Sequence, residues 1–294
     1  MGIQVGLGLP QFGVTSTPSR IAEYARRAEE LGYDSLWVGD RLLTPVEPRD
    51  EYPGEPKPYP PRVTYAADPV VVLTAAAAAP STIRLGSSTM TATWHSPVVL
   101  ARALTTLEAL SEGRLDVGFG TSWMRDEYAA VGVDWHSRGR RLEETLDFLH
   151  AWWTQNPVEF HGEFVELPRS VVDLRPVQDG GPPVFLGGWS HRQMDRVGRR
   201  ADGYLALAGL PEEFQRDLWD TARRSAESTG RDPEALTRVL RVNATDARAD
   251  ALQRSVEEAD ADGADTAVVD LVDCTDGIDQ SLDAAAALMQ RLRG

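Results

Sequence analysis

Ala28-Glu-Glu-Leu-Gly-Tyr-Asp-Ser-Leu-Trp-Val-Gly-Asp40 holds a helix end, a turn and a buried strand in one short phrase. Upstream, Ile21, Tyr24, Ala28 and Leu31 fall on one helical face, with Thr17 as the expected cap and Pro18 suited to the first turn. Gly32 then stops the helix, because glycine takes positive φ without a Cβ clash. The phrase returns at 107–120, 197–209 and 259–272, where Gly113, Gly203 and Gly263 supply the stop.

The strands read as brief apolar runs: Gln4–Leu9, Ser35–Val38, Ile83–Gly86, Leu115–Phe119, Val184–Leu186, Tyr204–Leu207, Val239–Val242 and Ala267–Val272. Runs without in/out alternation suit strands buried on both faces, as in parallel sheets. Alternation with helices, joined by right-handed crossovers, predicts an α/β fold: a closed (βα)₈ TIM barrel spanning 1–294 as one domain. A doubly wound open sheet is the alternative. Two segments break the rhythm, one at about 44–65 and one at 156–183. Thr44–Arg62 carries seven prolines, and Val158–Val165 reads as a hairpin. Both insertions are expected at the C-terminal face, where long barrel loops gather over a site.

The 294 residues carry a formal charge of −15, which repels phosphate backbones at long range, so no nucleic-acid partner is expected. Cys274 is the single cysteine, so no intramolecular disulfide can form. The opening residues lack the basic and apolar blocks of a secretion signal. The longest apolar run, Val70–Ala79, closes at Pro69 and Pro80 and is too short to span a bilayer. The expectation is a cytoplasmic protein with no membrane partner.

In a barrel the site is built from residues that follow each strand. Here they are Pro10 to Gly13, Gly39 to Arg41, Ser87 to Thr89 and on to Trp94-His95, Gly120 to Trp123, Gly187 to Ser190, and Gly209. This rim is rich in glycine, hydroxyls and aromatics, and suits a flat conjugated ligand. Among its acids only Asp40 stands clearly at a strand end, which disfavours two-carboxylate glycosidase chemistry. His95, His136, His150, His161 and His191 form no metal-ligand spacing, so no metal is expected. No nucleophile elbow or Walker loop occurs. Gly187-Gly-Trp-Ser190, with Arg192 close by, opens a helix whose unpaired amides can hold a phosphate. A tight βα turn with a serine cap explains the same residues. Gly118-Phe-Gly120 lacks the spacing of a dinucleotide fingerprint.

These segments resemble, in order and across nearly the whole chain, the luciferase-like monooxygenase superfamily and its coenzyme F420-dependent branch. The matching pieces include 28–40, 83–88, 97–104, 112–123, 138–144, 160–164, 183–188 and 201–204. The resemblance implies a barrel holding F420, or alternatively FMN, and a homodimer built on apolar early helices. It implies a bulge after the third strand that backs the cofactor ring, with Ser88–Thr89 as the expected cis peptide. Cofactor contacts are expected from Asp40, Ser87, Ser88, Thr89, Gly120, Ser122, Gly187, Gly188, Trp189, Ser190 and Arg192.

Arg41 stands where the family often has a histidine, and Trp123 where sugar-phosphate-oxidising relatives have a catalytic glutamate. Arg41 offers a permanent cation near ring or substrate, or else a salt bridge to Asp40 or to a carboxylate in the following loop. With Trp123, and with His95 as a proton relay, it makes up the expected catalytic set. His95 is equally readable as an exposed loop residue. Gln11 and Trp94 are expected at the substrate, while Trp37, inside a strand, reads as core.

The leading expectation is hydride transfer between the deazaflavin and a C=C, C=N or C=O group of a small molecule. An FMNH₂-dependent two-component monooxygenase and a non-catalytic flavin-binding protein are the alternatives.

Overall fold

The computed structural model describes residues 2–13, 16–53 and 59–293. Its elements run β1 (Gln4–Gly8), α1 (Ile21–Leu31), β2 (Ser35–Val38), α2 (Pro69–Ala77), β3 (Arg84–Ser87), α3 (Pro97–Leu110), β4 (Leu115–Phe119), α4 (Arg125–Ala130) and α5 (Arg138–Thr154). They continue with β5 (Val158–His161), β6 (Glu166–Ser170), β7 (Val184–Gly187), α6 (His191–Arg200), β8 (Gly203–Leu207), α7 (Glu212–Ser228), β9 (Thr237–Asn243), α8 (Ala249–Ala261), β10 (Thr266–Asp270) and α9 (Ile278–Arg293).

Eight of the strands close into a parallel barrel in the order β1-β10-β9-β8-β7-β4-β3-β2. The open-sheet alternative is thereby excluded. Closure comes from β1, whose Gln4–Leu7 pairs with Thr266–Val269 on one side and whose Gly6–Gly8 pairs with Ser35–Trp37 on the other. The large apolar core lies between strands and helices, with Leu7, Leu36, Leu85 and Phe119 fully buried. A smaller cluster fills the barrel interior: Trp37, Phe185, Leu205, Val239 and Val268. Gly6 and Gly86 make room for the Trp37 ring, since a Cβ at Gly86 would lie 2.5 Å from it. Trp37 is thus core, as its strand position implied.

Gly32 ends α1 at φ 84°, and its amide bonds back into the last turn. At the other end the expected cap is corrected. Pro18–Arg20 forms a 3₁₀ turn without a Thr17 side-chain cap, and α1 starts behind it at Ile21.

The two insertions part company. Of the first insertion, residues 44–53 and 59–65 follow β2 on the side of the C-terminal mouth, and 54–58 lie outside the described residues. The second does not lie there. It joins α5 to β7, so it enters at the N-terminal ends of the strands, where Gln178 Nε2 donates to Leu115 O at 2.8 Å. Its hairpin is real, with β5 antiparallel to β6, but its second strand starts only at Glu166. A long connection covers the active face only if it follows a strand; this one follows a helix. No described helix is long and apolar enough to cross a membrane.

Candidate active site

β3 stops pairing at Ser87, and the Ser88–Thr89 peptide that follows is cis. The chain then rejoins β4, where Met90 N donates to Gly118 O at 2.8 Å and Gly120 N donates to Met90 O at 2.8 Å. Ser88 and Thr89 are left projecting into the mouth as a bulge. The Thr89 side chain packs between strand ends: a Cβ at Gly120 would lie 2.5 Å from its Oγ1, and one at Gly187 would lie 2.7 Å from its Cγ2. Those two glycines therefore make room for Thr89, and neither lines the mouth cavity.

That cavity, about 250 Å³, is lined on one side by Asp40, Arg41, Ser88, Thr89, Ser122 and Trp123. All six were singled out in the sequence. Facing them are residues that sequence reasoning missed, including Tyr52, Arg62, Arg241, Asn243 and Asp270. Arg241 reaches from β9 across the mouth, where Nη1 donates to Ser88 O at 2.6 Å and Nη2 pairs with Asp270. Asp270 was hidden because the last strand was expected to run to Val272, whereas it ends at Asp270 and delivers that carboxylate to the rim. The rim therefore holds more acid than the sequence reading allowed, but Asp270 is already committed to arginine. A charge inside the otherwise apolar run Val239-Leu-Arg-Val242 was the available signal for Arg241.

Arg41 is paired neither with Asp40 nor with the loop that follows it. Its Nε lies 3.3 Å from Oε1 of Glu127 on α4, a carboxylate with no solvent exposure. Glu127 also accepts from Leu42 N at 2.8 Å and Ser122 Oγ at 3.1 Å. Burial pushes the Glu127 carboxyl upward, and the Arg41 charge opposes that. The Arg41 guanidinium stacks 4.7 Å from the Trp123 ring, which also meets Tyr52 and Tyr59 edge-on at 5.4 and 5.7 Å. The proline-rich insertion is fastened to α4 by Asp50, which takes Arg125 N at 2.7 Å and Arg125 Nε at 2.9 Å. It thereby supplies an aromatic wall.

Asp40 accepts from Thr91 N at 2.9 Å through Oδ2. Burial raises its pKa to about 7, with the Thr91 amide opposing and nearby Glu127 adding to the rise. A carboxyl balanced near neutrality can donate or accept a proton at the ligand it faces.

A second hollow, of about 380 Å³, lies beside the mouth at the start of α6. Ser190 and Arg192 line it with His136, Arg138, Arg140 and Arg196, and no carboxylate lines it. Ser190 Oγ accepts from Gln193 N at 3.3 Å as a helix cap. The Gln193 side-chain nitrogen is buried at this hollow with no partner. Thr121 lines the hollow and Ser122 the mouth, so both spaces border the segment after β4. An unpaired amide donor, a helix start and several guanidinium groups suit a phosphate.

Six further expected residues line neither space. Ser87 bridges to β4, donating to Gly118 O and accepting from Gly118 N, both at 2.9 Å. Gln11 commits its amide to backbone: Nε2 donates to Gly39 O and Ala67 O, and Oε1 accepts from Gly39 N. It braces the strand end that carries Asp40. Trp94 is buried edge-on against Tyr128 at 6.2 Å. His95 is half-buried next to the Asp68 charge, and burial lowers its pKa. Gly188, at φ 143°, packs against Gln193, and Trp189 is exposed. Of these, Gln11, Trp94 and His95 lie too deep or too far aside to meet a ligand in the mouth.

Fold and rim together define a (βα)₈ barrel with its candidate site in the cavity at the carboxyl ends of the strands. More narrowly, the chain belongs to the luciferase-like monooxygenase family, whose pattern it matches over residues 3–270. It is 32% identical over 210 residues to an uncharacterized protein of Mycobacterium tuberculosis, covering 69% of this chain and 74% of that one. It is 29% identical over 237 residues to an F420-dependent glucose-6-phosphate dehydrogenase of Amycolatopsis mediterranei, covering 79% of this chain and 65% of the relative. Among solved structures, a monooxygenase from Streptomyces bottropensis superposes with TM-score 0.82 at 18% identity, covering 99% of both chains. An F420-dependent secondary alcohol dehydrogenase superposes at 0.78 and 16%, covering 98% of this chain and 99% of that one. At such identities the structural likeness concerns the fold alone.

Proposed function

We propose that this protein is an F420-dependent oxidoreductase that exchanges a hydride with a C=C, C=N or C=O group of a small organic molecule. The observation that carries this reading is an aromatic-walled mouth and a basic hollow bordered by the adjacent residues Ser122 and Thr121, with no carboxylate in the hollow's lining. A phosphorylated cofactor with a flat ring fits that division: the ring on the Ser88–Thr89 bulge, the phosphate at Ser190, Arg192 and Gln193. When bound, the deazaflavin supplies the hydride chemistry. The chain's own part is to orient the ring against the bulge, to exclude water with Tyr52 and Trp123, and to hold a proton on Asp40. The F420-dependent relative at 29% identity supports the choice of cofactor.

Titration of the purified protein with F420 and with FMN, followed through each cofactor's own absorbance and fluorescence, tests this. F420 is expected to bind, and Arg192→Glu to weaken it by about tenfold or more. Tight binding of FMN alone would transfer the protein to the monooxygenase reading. Saturable cofactor binding with no turnover across a broad carbonyl and enone panel would favour a non-catalytic role.

We also propose a homodimer through α2 and α3. These helices pack side by side and still expose Val71 at 67% and Val99 at 53%. α2 is apolar on every side, which a helix with one solvent face should not be. Sedimentation is expected to report a dimer that Val71→Glu with Val99→Glu dissociates; a wild-type monomer at micromolar concentration counts against it.

A further inference from the structure

We infer that the mouth selects an uncharged, flat substrate, because every arginine lining the cavity is matched to a carboxylate of the chain itself. This rests on the mouth being the substrate side of the proposed cofactor site. Three guanidinium groups reach the cavity, and at first sight they invite an anion. Each is answered from a different element. Arg41 has Glu127 at 3.3 Å, Arg62 has Asp273 at 2.9 Å, and Arg241 is ion-paired with Asp270. Two of the partners are sheltered, Glu127 and Asp270 being 0% and 6% exposed, while Asp273 is 22% exposed. A sheltered, hydrogen-bonded pair presents little net field, and an incoming anion would have to pull a guanidinium from its partner.

The remaining surface is made for ring faces. Phe12, Tyr52 and Trp123 line the same cavity, and Arg41 already covers part of Trp123. Asp40 faces the space as well, and above neutrality its charge would add repulsion against an anion. The basic hollow differs: Arg140 and Arg196 are paired with Glu163 and Glu143, but its other two arginines are not matched in this way. Arg138 stacks on Trp135 and donates to its carbonyl, and neither Arg138 nor Arg192 pairs with a carboxylate among the described residues. The protein thus separates two tasks: charge is read at the hollow and shape at the mouth.

Acetophenone and 4-acetylbenzoate share a ring and a ketone and differ by one negative charge. Their dissociation constants are measured by tryptophan fluorescence and calorimetry on the full chain, with and without F420. Acetophenone is expected to bind about tenfold or more tighter than the carboxylate. Asp270→Asn, which leaves the Arg241 charge unmatched at unchanged shape, is expected to narrow that gap by about fivefold or more. Glu127→Gln does the same for Arg41 and serves if the first variant does not fold. Equal or tighter binding of 4-acetylbenzoate by the wild type overturns the inference. So does acetophenone failing to bind up to its solubility, or a gap that neither variant narrows. Because F420 binding is read separately and before any ketone is added, failure of the cofactor assignment is distinguishable from failure of the charge preference.

Discussion

Glu127→Ala is expected to destabilise the fold by about 3–5 kcal/mol. The carboxylate is fully buried and holds three donors: Arg41 Nε, Leu42 N and Ser122 Oγ. Removing it leaves a guanidinium 8% exposed without its counter-charge and two further donors without an acceptor. Glu127→Gln keeps the shape and one acceptor oxygen but also leaves the Arg41 charge unmatched, so it should lose less than the alanine variant and still be destabilised. Urea denaturation of the three proteins checks this, and a loss below about 1 kcal/mol for the alanine variant would mean that the pair contributes nothing to the fold. The same experiment bears on the mouth, because Arg41 and Trp123 are held in place through Glu127.

The second large effect depends on pH. The Asp40 pKa is raised to about 7 in the folded protein, above its ordinary value of 3.8. The folded state therefore binds the proton more tightly than the unfolded chain does. Stability from this group is intact below about pH 4, falls as pH rises through the interval to 7, and stays low above it. Asp40→Asn removes the titration and keeps an oxygen for the Thr91 amide. Its stability relative to wild type should climb by about 2–4 kcal/mol between pH 4.5 and pH 8. Paired thermal melts across that range check the sign, and other buried acids cancel in the difference. A variant whose advantage is flat with pH would show that Asp40 ionises freely in the fold. With cofactor bound, loss of the same carboxyl should remove a kinetic pKa near neutrality.

The strand sequence was legible because short apolar runs and glycine stops are local matters. Every expected strand appears in the barrel, within two residues at most ends. One half of the mouth was legible for the same reason: residues that follow a strand must stand at its carboxyl end. Asp40, Arg41, Ser88, Thr89, Ser122 and Trp123 are there on that ground. The opposite wall was not. Arg241 and Asp270 lie within strands and look like misplaced charges until barrel closure sets β10 between β9 and β1 and brings both groups to the mouth. Glu127 sits in a short helix of ordinary polar composition, and nothing near it marks it as the partner of a residue 86 positions earlier.

The chain's own order of residues determined that helices and buried strands alternate, where each stops, and which small and aromatic groups follow the strands. These depend on backbone preference and on apolar periodicity over a few residues. Tertiary structure alone decided that Gln11 braces a strand, that Ser87 ties β3 to β4, and that each arginine at the mouth has a carboxylate. Such pairings follow from distances between segments far apart in the chain, and a burial cost is set only once the barrel has closed around them.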